Sequence, residues 1–206
     1  MSFREFKYPD LLATFGLSWR TTLNLFPDVP PVAPDPAVVR VLGLVSPLAS
    51  TLNTEKARSE WMTALVLGDF WARYGGQISL YSGADFQADP DAGLNGFCDY
   101  LISRSPQQMI VTPPVLVVFE AKNESISGGL GQCVAGMVGA QRYNVRLNGP
   151  ADPIYGCVTT GTVWRFLRLS GTTLTLDLHE YVIGDVDQLL GIFTHMVGPP
   201  PPAVAA

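Results

Sequence analysis

A glutamate and a lysine stand two residues apart at the end of an apolar run, in Val117-Val118-Phe119-Glu120-Ala121-Lys122. Side chains alternate across a strand, so residues i and i+2 project from one face. Asp99 lies in the preceding strand-like stretch, Phe97-Cys98-Asp99-Tyr100-Leu101-Ile102. A hairpin between the two stretches would bring Asp99 up to Glu120. Two carboxylates and an ammonium at the ends of mostly buried strands are costly unless something uses their charge. A divalent cation is the natural partner. Magnesium takes one or two carboxylate oxygens, keeps several waters and leaves positions open for a phosphate. A lysine beside it can orient or deprotonate a water and neutralise charge developing on phosphorus. The plain alternative for Glu120 and Lys122 is an exposed ion pair at a strand end, worth roughly 0–1 kcal/mol.

Asp99, then Glu120-x-Lys122 after an apolar strand, then a helix bearing Gln132 together resemble the PD-(D/E)xK nuclease superfamily, over roughly Thr54 to Leu169. The stretches Gly96–Tyr100, Glu120–Glu124 and Gly131–Cys133 look like bacterial members related to the nuclease domains of restriction enzymes. The proline that precedes the aspartate in that motif is replaced here by Cys98. The resemblance implies a core of a helix, a three-stranded meander, a helix and a further strand. It implies metal ligation by Asp99, Glu120 and the backbone carbonyl of Ala121, with Mg²⁺ as the ion and Mn²⁺ as a substitute. Lys122 is placed at the attacking water. Many members carry a further glutamate on the first helix; Glu60 takes that place here, with Glu55 the next choice. Gln132 is expected to bond the site lysine or a substrate phosphate. The ordinary alternatives are a solvated helix face for Glu60 and a plain helix residue for Gln132. The implied activity is hydrolysis of DNA phosphodiesters, with RNA as a second substrate class. The alternative is an inactive relative serving as a nucleic-acid- or protein-binding module.

The elements that must position these groups are legible in outline. Thr54 is a good N-cap and Glu55 sits in the first turn, where negative charge favours the helix dipole. Ala57, Trp61, Ala64, Leu65, Gly68 and Trp71 recur at three- and four-residue spacing, which predicts a helix ending near Tyr74-Gly75-Gly76. Strands are predicted over 77–86, 96–103 and 115–122, the last buried on both faces because of Val115-Leu116-Val117-Val118-Phe119. A glycine-rich turn, Ser127–Gly131, leads into a helix over 130–145. Strands over 154–160, 163–169 and 173–182 and a helix over 186–196 follow. The whole predicts an α/β fold with a restriction-endonuclease-like core, a central mixed β-sheet flanked by helices in the order αβββαβ. Six prolines between Pro27 and Pro47 predict that residues 1–52 form an extended, proline-rich N-terminal arm. Residues 53–198 then make the nuclease domain and 199–206 a flexible tail.

Of the 206 residues 47% are hydrophobic and 15% charged, which excludes disorder and leaves apolar surface for a homodimer. The net charge of −5 argues against holding nucleic acid by bulk charge, but leaves room for a local basic groove. Nearly all the positive charge is arginine; the lysines are Lys7, Lys56 and Lys122. Cys98, Cys133 and Cys157 are expected to be reduced core residues. The chain shows neither a secretion signal nor an apolar run of membrane-spanning length, so a cytoplasmic protein without membrane partners is expected. No HExxH, GxSxG or phosphate-loop motif occurs. Gly129-Leu130-Gly131 lacks the third glycine of a dinucleotide fingerprint, Val134 standing there.

Overall fold

Phe3 and Phe6 lie three residues apart around a 3₁₀ turn, Phe3–Glu5, and both are buried against the sheet. A spacing of three puts them on one side of such a turn, with Arg4 and Lys7 on the next. The computed structural model describes residues 2–123 and 125–200, so most of the predicted tail lies outside the described residues. After the turn come α1 (Asp10–Thr14), β1 (Ser18–Thr22) and α2 (Pro36–Leu52).

The expected N-terminal arm over 1–52 is not an arm. Phe3, Phe6, Leu11, Phe26 and Leu42 are core residues, and β1 joins the sheet. Of the proline-rich stretch only residues 27–35 stay outside helix and strand, as their prolines dictate. Asp35 caps α2 by accepting from the Ala37 N–H at 2.7 Å. Pro36 sits in the first helical turn, where its missing N–H costs nothing. Pro47 lies inside the helix.

The helix predicted after Thr54 forms, with Thr54 Oγ1 accepting from the Ala57 N–H at 3.1 Å. It runs as α3 (Glu55–Arg58), a π turn over Ser59–Thr63, and α4 (Ala64–Ala72). Such π turns often mark functional sites. The strands β2 (Ser79–Asp89), β3 (Leu94–Ser103) and β4 (Val115–Ala121) then form an antiparallel meander. α5 (Ile126–Arg146) crosses over to β5 (Ile154–Thr159), which pairs in parallel with β4. β6 (Val163–Ser170), β7 (Thr173–Asp177), the short β8 (Tyr181–Val182) and α6 (Val186–Val197) complete the chain. The result is an α/β fold with an eight-stranded mixed sheet in the order β1-β7-β6-β5-β4-β3-β2, with β8 beside β6. Among the described residues no helix is long and apolar enough to cross a membrane.

The predicted glycine turn at Ser127–Gly131 is instead the first part of α5. Its glycines are there for close approach. A Cβ on Gly129 would lie 2.6 Å from Val158 Cγ1 and 3.1 Å from Lys122 Cγ, and one on Gly131 would collide with the Phe6 carbonyl oxygen. Glycine weakens a helix by about 1 kcal/mol relative to alanine, and packing offsets that here.

The sheet is covered on both faces. Val118, Val158, Leu130, Cys133 and Val134 share one core with Phe3 and Phe6. Val117, Phe119, Phe70, Trp164 and Phe193 share the other. Each fully buried side chain of this size contributes roughly 1.5–3 kcal/mol. β4 is therefore buried on both sides, as its unbroken apolar run predicts. The three cysteines are free and buried.

Candidate active site

Glu120 is the last but one residue of β4 and is only 2% exposed. It faces α5, where a Cβ on Gly129 would lie 3.3 Å from its Cγ. Lys122, two residues on, comes off the same face and its Nζ donates to Glu120 Oε1. The spacing of two delivers what strand geometry requires.

Asp99 reaches the pair because of register. Tyr100 pairs with Phe119 at the end of the β3–β4 ladder, so the next step outward sets Asp99 beside Glu120. The ladder stops there, and the Asp99 carboxylate takes over its role: Oδ2 accepts the Ala121 N–H at 2.7 Å. On the other side of Ala121, the Lys122 N–H donates to the Thr159 carbonyl of β5 at 2.8 Å. The backbone on either side of the Ala121 carbonyl is thus held by both neighbouring strands.

Burial pushes the Glu120 carboxyl up to about 8, with the Asp99 charge adding to the rise and Lys122 opposing it. For Lys122, burial works against the charged form, but Glu120, with Glu55 and Asp99, outweighs it and the ammonium is held above its ordinary value. Both directions describe one pair, in which Glu120, the deeper member, loses its charge as pH falls while Lys122 keeps its own. A deeply buried carboxylate with a second acid alongside and one ammonium is short of positive charge.

Two cavities flank the cluster. One, of about 270 Å³, is lined by Asp99, Tyr100, Ala121, Glu55, Ser59 and Glu60 among others. Tyr100 ties this wall together, donating to the Ser59 carbonyl at 3.0 Å and bonding Ser59 Oγ at 2.8 Å across the π turn. The other, of about 460 Å³, has Lys122, Gln132, Glu55, Arg4 and Lys7 in its walls. Glu55 therefore stands between the two, with Oε2 3.9 Å from Lys122 Nζ.

Asp99, Glu120, Ala121 and Lys122 come together as the sequence reading expects. Gln132 also reaches the larger cavity, and its Nε2 is buried without a hydrogen-bond partner among the described residues. Glu60 lines the smaller cavity, but its half-exposed carboxylate pairs with Lys56. Glu55, the second choice on that helix, is the one that approaches Lys122. Gln141 lies elsewhere on α5, donating to Asp152 Oδ1 at 2.7 Å and to the Gly171 carbonyl at 3.0 Å. His179 packs against the Tyr181 ring at 4.5 Å, away from this cluster.

Arg4 and Lys7 were not expected at this site from the sequence. The signal available was the offset of Phe3 and Phe6, buried, against Arg4 and Lys7, exposed. With them, every lysine of the chain lines one or other cavity.

Among the described residues no three His, Cys, Asp or Glu side chains are close enough to hold one ion by themselves. A metal here would rest on two carboxylates, a backbone carbonyl and water, which suits a hard cation such as magnesium. The donor chemistry fits. A cation would relieve the burial and the repulsion that raise Glu120. The fold and this cluster define an α/β protein with an acid–acid–lysine site at the carboxyl end of a central strand, the usual place for ligands in such sheets. No protein-family model matches the chain, and no curated protein and no solved structure matches it.

Proposed function

We propose that the chain is a metal-dependent nuclease that hydrolyses DNA phosphodiester bonds on a restriction-endonuclease-like core. The observation that carries this reading is Asp99 beside Glu120 where the β3–β4 ladder ends, with Lys122 against Glu120. The order of helix, three antiparallel strands, helix and parallel strand around them supports it.

Asp99, Glu120 and the Ala121 carbonyl would hold Mg²⁺, or Mn²⁺ in its place. When bound, the ion supplies a Lewis acid for the phosphoryl oxygen and an acidified water. Asp99 keeps the end of β4 in place through the Ala121 N–H. Lys122, drawn between Glu120 and Glu55, holds its ammonium where it can donate to an attacking water and offset negative charge building on phosphorus. Gln132 lines the cavity beside Lys122, and its buried Nε2 has no partner among the described residues.

Incubation of the purified chain with supercoiled plasmid and with oligonucleotides, in Mg²⁺, Mn²⁺ or EDTA, tests the reading. Cleavage is expected with either ion and not with EDTA. Asp99→Asn, Glu120→Gln and Lys122→Ala should each slow it by roughly 100-fold or more. Undiminished cleavage by Glu120→Gln, or none by the parent with any ion, overturns it. RNA oligonucleotides in the same assay decide the substrate class. A homodimer would suit cutting both strands of a duplex; light scattering that reads a monomer at working concentration removes it.

A second reading, an inactive relative that binds nucleic acid or protein, is favoured by Lys122 already being paired with Glu120 and by the net charge of −5. It predicts no cleavage under any ion, with duplex binding in EDTA only where its partner is nucleic acid.

A further inference from the structure

The larger cavity is lined by three cations, Arg4, Lys7 and Lys122, and one acid, Glu55. Phe3 and Phe6 anchor the amino-terminal segment in the core, and its backbone lies directly on Gly131 of α5. That anchorage leaves Arg4 and Lys7 exposed on the other side of the segment, lining the cavity with Lys122 and Gln132. Among the described residues neither Arg4 nor Lys7 forms an ion pair. Two cations, held by a buried aromatic pair at the rim of a cleft that Gln132 also lines, make a receptor for an anion. Its neighbour through Glu55 and Lys122 is the acidic cluster, too negative to take an anion unaided.

We propose that this cavity seats a backbone phosphate of the nucleic-acid strand next to the bond being cut, held by Arg4 and Lys7 with Gln132 beneath. The inference rests on the nuclease reading for the identity of the ligand. The amino-terminal segment is then part of the substrate site, and it fixes where along the strand the scissile phosphate falls. Phosphate contacts of this kind position a nucleic acid without reading its sequence.

The test is fluorescence anisotropy of a labelled DNA duplex of about 20 base pairs, titrated across a range of salt with EDTA present so that nothing is cut. Arg4→Ala with Lys7→Ala should weaken binding at least about tenfold and lower the salt slope by about 2. The charge-matched control is Arg20→Ala with Arg168→Ala, two exposed arginines at the β1–β7–β6 end of the sheet. It should stay within about twofold of the parent. Equal losses in the two double variants, or no duplex binding by the parent, overturn the proposal. Binding through Arg4 and Lys7 without cleavage in Mg²⁺ keeps the phosphate seat and removes the nuclease. Cleavage that the Arg4/Lys7 variant leaves unchanged does the reverse.

Discussion

Two buried carboxylates, Asp177 and Glu120, sit at the ends of strands in the same sheet and live in opposite ways. Asp177 is surrounded by donors. Its oxygens accept the Leu25 N–H at 3.0 Å, the His179 N–H at 3.0 Å and the Tyr181 hydroxyl at 3.1 Å. Burial and the Asp177 charge hold the Tyr181 phenol well up, so it stays a donor. Glu120 has Lys122 as its hydrogen-bond partner and Asp99 pressing against it. A charge enclosed by donors ties a loop to a sheet. A charge left short of donors, beside a second acid and two cavities, lacks that enclosure.

The largest expected effect breaks the satisfied site. Asp177→Ala takes the acceptor from the part-buried Leu25 and His179 N–H groups and leaves the buried Tyr181 hydroxyl only Asn24 Oδ1, and should lower stability by about 2–4 kcal/mol in urea unfolding. Duplex binding by whatever remains folded should be unaffected. A loss under about 1 kcal/mol would mean that the donors find other partners and the contrast with Glu120 is false.

Glu120→Gln should do the opposite. It removes a charge that the fold does not satisfy, and without metal at pH 8 it should raise stability by about 1–3 kcal/mol while abolishing metal-dependent cleavage. Destabilisation at that pH would show Glu120 to be a structural ion pair.

The pH profile sharpens the same point. The carboxyl is raised from an ordinary 4.5 to about 8 in the folded chain. Between those values the folded protein keeps a proton that the unfolded chain has released, so stability falls as pH rises. The slope from this group is at most about 1.4 kcal/mol per pH unit. Metal-free unfolding followed from pH 5 to pH 8 in parent and Glu120→Gln isolates it. Identical profiles in the two proteins would contradict the assignment.

The smallest effect belongs to the exposed pair on the first helix. Lys56→Ala removes the partner of Glu60 and should leave the melting temperature unchanged, because exposed pairs contribute little. A clear drop would give the Lys56–Glu60 pair a structural weight that the comparison denies it.

The cluster itself was legible because its rules are local. A period of two sets Glu120 and Lys122 on one face, and an antiparallel succession of strands brings Asp99 across. Cys98 in place of a proline did not disturb that. What was not legible depends on contacts distant in sequence. The segment from Phe3 to Tyr8 packs on Gly131, and nothing in either stretch alone announces the other. The same contact explains why Ser127–Gly131 is helix where its composition reads as turn. Prolines hid α2, since Pro36 favours a helix start as readily as it breaks a helix interior. The π turn that sets Glu55 and Glu60 apart in surroundings leaves no mark in the spacing of apolar residues.

Calorimetric titration of Mn²⁺ into the metal-free chain near pH 8 is the most direct measurement. Heat of binding in the parent that disappears in both Asp99→Asn and Glu120→Gln, with Asp177 intact, is what this account predicts. An equal response in all three proteins, or none in the parent, would mean that the two acids beside Lys122 do not share a cation.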